Sequence, residues 1–237
     1  VNPVAVFRFS RTEGPGHFAT FLDANRLPWT LVKLDREEPV PASAEGFSGL
    51  GFMGGPMSAN DALPWTDAVL ALMRDAVARG IPVIGHCLGG QLLSRAAGGQ
   101  VTANPVKEIG WQPVRIEDTP LARDWLGEGG REFVTFQWHG ETFSIPPGAQ
   151  RILWGPHCGN QAYVLDGRHL GMQCHVEMTP EMIASWCESG ADEVREARDS
   201  PAVQPVERMK AEMAQRLGDL NKTAERLYAR WVGGLKR

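Results

Sequence analysis

In the first hundred positions, short apolar runs alternate with longer stretches in which apolar residues recur at helical spacing. "VAVFRF" (4–9) and "WTLVKL" (29–34) read as strands, with the helical "HFATFLDANRL" (17–27) between them. After a proline-rich loop (35–46), "FSGLGFMGG" (47–55) predicts a third strand ending in a glycine turn. The stretch 64–80 has helical spacing, Pro64 at its start and Gly80 at its end, the usual asymmetry of helix termini. "IPVIGHC" (81–87) returns as a buried strand, and "QLLSRAAGG" (91–99) follows as a helix. Such alternation implies a mostly parallel sheet covered on both faces. Ligands of such sheets gather at the carboxyl ends of the strands, where "MGGP" (53–56) and "GHCLGG" (85–90) both fall.

Beyond residue 100 the rhythm changes. The segments 110–118, 131–143, 150–158, 160–166 and 169–175 read as short strands separated by Gly, Pro and Asp turns, an antiparallel addition that returns to the central sheet. From 179 onward the pattern is helical to the end. With no repeat, low-complexity tract or linker, the expectation is a catalytic domain over 1–190 with a helical C-terminal extension, 191–237, packed on it. Met209, Met213, Leu217, Leu220, Leu227 and Trp231 lie near helical spacing and supply the packing face. A second copy of the chain is the other candidate to cover that face, as a homodimer.

Composition narrows the classes. A hydrophobic share of 43% with 22% charged residues belongs to a soluble globular protein. The net charge of −4 gives no electrostatic case for nucleic acid or an anionic membrane. No apolar run reaches the length of a membrane span, and the first residues read as a strand, not a secretory segment. Four scattered cysteines, Cys87, Cys158, Cys174 and Cys187, do not make a disulfide framework in a chain of 237 residues. A reducing, cytoplasmic setting is expected, and it would leave Cys87 free to react.

Cys87 carries the chemistry. A strand that ends in Gly-x-Cys-x-Gly and runs directly into a helix has the logic of a nucleophile elbow, which needs small neighbours around a tight turn. The N-terminus of the following helix favours a thiolate, and the Leu88 N–H points where an oxyanion would form. A thiolate nucleophile works with a histidine and a group that orients it. His86, adjacent in the turn, is poorly aimed. His175 stands at the end of a predicted strand with Glu177 two residues on, and residues i and i+2 of an extended segment share a face.

Together, "MGGPMS" (53–58), "GHCLGGQ" (85–91), "WHGETF" (138–143) and "GMQCHVE" (171–177) resemble, in order and spacing, the class I glutamine amidotransferases. The likeness is to stand-alone members similar to the glutaminase domain of GMP synthase, and it covers roughly residues 45–180. It implies a flavodoxin-like α/β three-layer sandwich. It also implies a Cys87, His175, Glu177 triad, with backbone N–H groups of Gly55 and Leu88 as the oxyanion hole. Gln91 matches a position that contacts the bound glutamine, although by position alone it reads equally as a surface helix residue, and backbone groups of Gly140 and Glu141 correspond to the loop that grips the α-amino and carboxylate ends. His139 either lines the pocket as a further substrate contact or hydrogen-bonds within its own loop. Val176 stands where the family has proline, and Cys174 where it has an aromatic residue.

The implied reaction is hydrolysis of the side-chain amide of glutamine, or of a γ-glutamyl amide, through a thioester and without a cofactor. The chain shows no P-loop or other nucleotide motif. Ammonia would therefore pass to a separate synthetase subunit, or the protein would act alone as a γ-glutamyl peptidase or transferase on a metabolite. Two rivals are a non-catalytic binding module on the same scaffold and a flavodoxin-like cysteine peptidase. The first predicts a missing triad member, and the second generally lacks so distant a His-x-Glu pair. A metal held by "HC" (157–158) and "CH" (174–175) is disfavoured, since neighbours on a strand point to opposite faces. Trp111, Trp138 and Trp154 read as core or pocket walls, with no basic residues interleaved.

Overall fold

Residues 4–7 alternate strictly in the direction they face, and the fold follows from that alternation. In the computed structural model, which describes residues 2–128 and 130–236, Val4 and Val6 of β1 (Val4–Arg8) enter one apolar core and Ala5 and Phe7 the other. A strand buried on both faces requires helices on both sides. The chain supplies them in sequence: α1 (Gly16–Ala24), β2 (Trp29–Lys33), β3 (Gly49–Phe52), α2 (Thr66–Arg79), β4 (Val83–His86) and α3 (Leu88–Ala96). α2 and α3 cover the Phe7 side through Leu72, Met73, Leu92 and Leu93, whereas α1 covers the Val6 side through Phe18 and Leu22.

The second half closes the sheet. β5 (Val101–Ile116), α4 (Pro120–Leu126), β6 (Glu132–Phe143), β7 (Ala149–Trp154), β8 (Ala162–Leu165) and β9 (His169–Met172) precede α5 (Pro180–Ser189), α6 (Ala191–Glu196), β10 (Ala202–Val203) and α7 (Val206–Val232). The ten-stranded sheet runs β10-β5-β7-β8-β9-β4-β3-β1-β2, with β6 paired to β5. Strands β9, β4, β3, β1 and β2 are mutually parallel, while β5 through β9 step antiparallel across the other half. The result is the α/β sandwich read from the sequence.

Several elements differ from their sequence reading. β5 begins at Val101, nine residues before the expected start, because Asn104 and Pro105 sit in a bulge between Ala103 and Glu108 and do not end the strand. α4 went unread because seven residues show no clear helical period, although Thr119 caps it and Pro120 occupies its first turn. α3 starts at Leu88, directly after the cysteine, and not at Gln91. The two-residue β10 has too little pattern to read. Trp154, read as core or pocket wall, is neither: it is half-buried with the Arg115 guanidinium 4.9 Å above its ring, away from the cavity lining.

α7 packs on α1, α4 and α5. Met209, Leu217, Leu220, Leu227, Tyr228 and Trp231 are buried there, with Met213 half-buried at the margin. Trp231 and Tyr228 meet Phe18 of α1 at ring distances of 5.6 and 4.9 Å. No helix among the described residues is long and apolar enough to cross a membrane.

Candidate active site

The carboxyl ends of the parallel strands are where the turn between β4 and α3 becomes sharp. Cys87 sits in that turn with φ +49°, a conformation that strains any side-chain-bearing residue by about 1–3 kcal/mol. Its own N–H donates to Met172 O on β9 at 2.8 Å, which fixes the backbone. The flanking glycines are required by close approach. A Cβ on Gly85 would stand 2.4 Å from the backbone of Gly89, and one on Gly89 would stand 2.3 Å from Phe52 O. Cys87 is thereby turned away from the core and into a cavity. Its neighbour His86 faces the other way, 3.1 Å from the Tyr228 hydroxyl, and burial lowers its pKa so that it stays neutral.

His175 lies just past β9, in an isolated bridge to Phe136, its N–H donating to Phe136 O at 2.9 Å. Extended backbone there puts Glu177 on the same side, and His175 Nδ1 lies 2.6 Å from Glu177 Oε1. A carboxylate only accepts, so Nδ1–H is the donor and Nε2 is left available to the neighbouring Cys87. Burial opposes charge on His175, yet Glu177 and Cys87 together hold its pKa well above the ordinary range. Burial likewise works to raise Glu177, and the imidazolium beside it holds it below the usual carboxylate value. Trp186 meets the imidazole edge-on at 4.8 Å. The substitution of valine for proline at 176 leaves the His175–Glu177 contact intact. Cys174 points into the core, where burial pushes its thiol up to about 12.

The cavity measures about 560 Å³. Of the residues singled out in the sequence, Gly55, Cys87, Gln91, His139, Gly140 and Glu141 line it. Leu88 stands behind Gly55, where a Cβ on Gly55 would come within 2.7 Å of Leu88 Cδ2. The Gly89 N–H donates to Met53 O at 3.1 Å and so ties the Met53–Gly55 turn to the start of α3. As a first-turn residue, Leu88 has no partner within the helix for its N–H. Gln91 is buried, not a surface helix residue; its Nε2 donates to Gln173 Oε1 at 3.1 Å, and Gln173 Nε2 reaches the Cys87 sulfur at 3.5 Å.

His139 both lines the cavity and is held inside the loop. Nδ1 lies 2.9 Å from Glu141 O and Nε2 lies 3.0 Å from Glu108 Oε2, which also accepts from Gln161 Nε2 at 2.9 Å. Donor atoms of Glu108, His139 and Cys158 lie within 4.8 Å of one another. Both imidazole nitrogens are thus occupied by protein partners, and burial pushes the Cys158 thiol up to about 11.

Sequence reasoning missed the far wall: Glu13, Lys107, Trp186 and Glu193. Glu13 lies in the loop after β1, an edge the topology marks as ligand-bearing, but no motif pointed to it. Glu193 belongs to α6, far down the chain, and only the tertiary fold returns it to the cavity.

Fold and site together define an α/β protein with a cysteine at the strand ends, opening on a cavity. Residues 20–185 match the family described as Glutamine amidotransferase class-I, and the chain belongs to that family. It is 28% identical over 198 residues to the glutamine amidotransferase-like protein YfeJ of Salmonella typhimurium, covering 81% of this chain and 82% of that one. It is 35% identical over 100 residues to the glutamine-hydrolyzing GMP synthase of Bacillus subtilis, covering 41% of this chain and 19% of that protein. The crystal structure of a glutamine amido transferase from Methylobacillus flagellatus superposes with a TM-score of 0.97 at 48% identity, over 100% of this chain and 96% of the other.

Proposed function

We propose that the protein is a cysteine-dependent amidase that releases the side-chain nitrogen of glutamine, or of a γ-glutamyl amide, by way of a thioester. The observation that supports this reading is that Cys87 lines the cavity with the buried His175–Glu177 pair beside it. The Cys87 sulfur attacks the amide carbon, and the carbonyl π electrons move onto oxygen. The N–H groups of Gly55 and Leu88 receive that oxyanion, each preorganised donor contributing about 3–4 kcal/mol. His175, kept in one tautomer by Glu177, gives its proton to the departing nitrogen as the C–N bond breaks. It then takes a proton from water, which adds to the thioester carbon; the C–S bond breaks and glutamate leaves. Gln91 and the backbone at Gly140 and Glu141 hold the amino-acid end, with His139 as part of the cavity wall.

A second reading keeps this half-reaction and sends the ammonia to a synthetase subunit. The likeness to the glutamine-hydrolyzing GMP synthase of Bacillus subtilis supports it. The test of both is glutamate release from glutamine by the purified protein, with Cys87→Ala as control. Release that depends on Cys87 supports the amidase, whereas equal release by Cys87→Ala overturns it. Release only when a synthetase is added favours the second reading.

A further inference from the structure

The cavity holds one carboxyl group for which the proposed reaction has no use. Glu13 lies in the loop between β1 and α1, and that loop is clamped to the His175–Glu177 segment. Trp186 Nε1 donates to Thr12 O at 2.8 Å, and the His17 N–H donates to Glu177 O at 2.8 Å. Gly16, at φ +48°, passes so close that a Cβ there would stand 2.2 Å from Glu177 O. The loop therefore presents Glu13 at a fixed place beside the imidazole. A Cβ on Gly54 would lie 2.1 Å from Glu13 Oε2 and 3.1 Å from His175 Cε1, so carboxyl and imidazole face each other across the space that glycine leaves open.

The other carboxylates lining the cavity have partners. Glu141 accepts from Ser58 Oγ at 2.9 Å. Glu193 is paired with Lys107 and also accepts from Trp138 Nε1 at 2.8 Å. The Glu13 side chain has neither a hydrogen bond nor an ion pair among the described residues, although it lines the cavity. The leaving nitrogen must reach His175 to receive its proton, so any substituent it carries extends along the flank of the imidazole. That flank is where Glu13 and the ring of Trp186 stand, both on the wall of the cavity.

Building on the amidase reading above, we propose that Glu13 forms a leaving-group subsite for a cation. The protein then acts preferentially on γ-glutamyl amides of amines that bear a second, protonated amino group. Trp186 supplies an apolar wall for the connecting methylenes and a ring face for the ammonium. Glu13 joins that ammonium by a charge-assisted hydrogen bond. Hydrolysis runs as before: the C–N bond breaks, the nitrogen takes the His175 proton, and the diamine leaves.

Burial raises the pKa of Glu13 to about 7; the charge on His175 opposes that shift, and Glu177 and Glu193 add to it. The preference for a cation accordingly strengthens as Glu13 loses its proton, from about pH 6 to about pH 8, where a primary ammonium remains charged.

The experiment compares kcat/KM for three γ-glutamyl amides of equal length, those of a linear diamine, of the matching monoamine and of the matching ω-amino acid. Wild type, Glu13→Gln and Glu13→Asp are each assayed, with Cys87→Ala as blank and thermal melting as a check on folding. The expected result is a wild-type preference of about tenfold or more for the diamine amide over the monoamine amide. That preference falls toward unity in Glu13→Gln and is retained in Glu13→Asp. Turnover with no diamine preference, or a preference unchanged in folded Glu13→Gln, overturns the subsite alone. Absence of Cys87-dependent release from every amide, glutamine included, overturns the amidase reading and the subsite with it.

Discussion

His175 Nδ1 and Glu177 Oε1 stand 2.6 Å apart, both side chains 1% exposed, on residues separated by a single valine. Their opposite pKa shifts make the contact a stability device as well as a chemical one. A histidine raised above its unfolded value contributes stability that is complete below about 6.5 and is lost as pH climbs through the folded value. A glutamate lowered in the fold contributes above about 4.5 and loses that contribution as pH falls through its folded value. The stability difference between wild type and Glu177→Gln is therefore expected to be largest between those two pH values and to shrink on either side. Urea melts across pH check it; a difference flat with pH would show that the pair is uncharged.

The backbone at Cys87 makes a separate, local forecast. Because φ is +49° there, Cys87→Gly relieves strain that Cys87→Ala retains. The glycine variant is expected to be more stable than the alanine variant by about 1 kcal/mol, measured by denaturant unfolding. The reverse order would mean that the turn is unstrained.

Four free cysteines are buried, but their surroundings differ. Burial pushes Cys158 up to about 11 and Cys174 up to about 12, while Cys87 faces the cavity beside an imidazole. Alkylation of the native protein near neutral pH is expected to modify Cys87 first, as read by peptide mass mapping. Prior labelling of Cys158 or Cys174 would contradict the geometry of the cavity.

Trp231 anchors the long C-terminal helix against Phe18 and the backbone of Gly49. Trp231→Ala is expected to destabilise the protein by about 3–5 kcal/mol, as for other buried tryptophans. A change below about 1 kcal/mol in urea unfolding would mean that α7 docks without contributing to the fold.

How much of this was legible in the sequence depended on whether a signal was local. The glycine-flanked cysteine is largely local, because Gly85 is forced by contacts within one turn while Gly89 answers to the neighbouring strand at Phe52, and the spacing of His175 and Glu177 follows from the geometry of a single extended segment. The unbroken apolar run Val4–Phe7 reads as a strand, and the succession of strands and helices implied its burial on both faces. Glu13 and Glu193 were not legible. Each reaches the cavity only because its element packs beside the His175 segment, and an isolated glutamate in "RTEG" or "ADEV" looks like any solvated charge. The His139–Glu108 contact was hidden for a similar reason. The sequence reads as a strand only from residue 110, whereas β5 begins at Val101 and continues through a bulge, and that continuation sets Glu108 opposite His139 in the ladder.

The central claim, a γ-glutamyl thioester on Cys87, is tested most directly by acid-quenching the protein during turnover of glutamine and mapping its peptides by mass spectrometry. The expected result is one γ-glutamyl group on the peptide containing Cys87, lost on brief treatment with hydroxylamine and absent in Cys87→Ala. Glutamate formed steadily with no adduct on Cys87 in a quench fast enough to precede deacylation, or with the adduct on another cysteine, would contradict it.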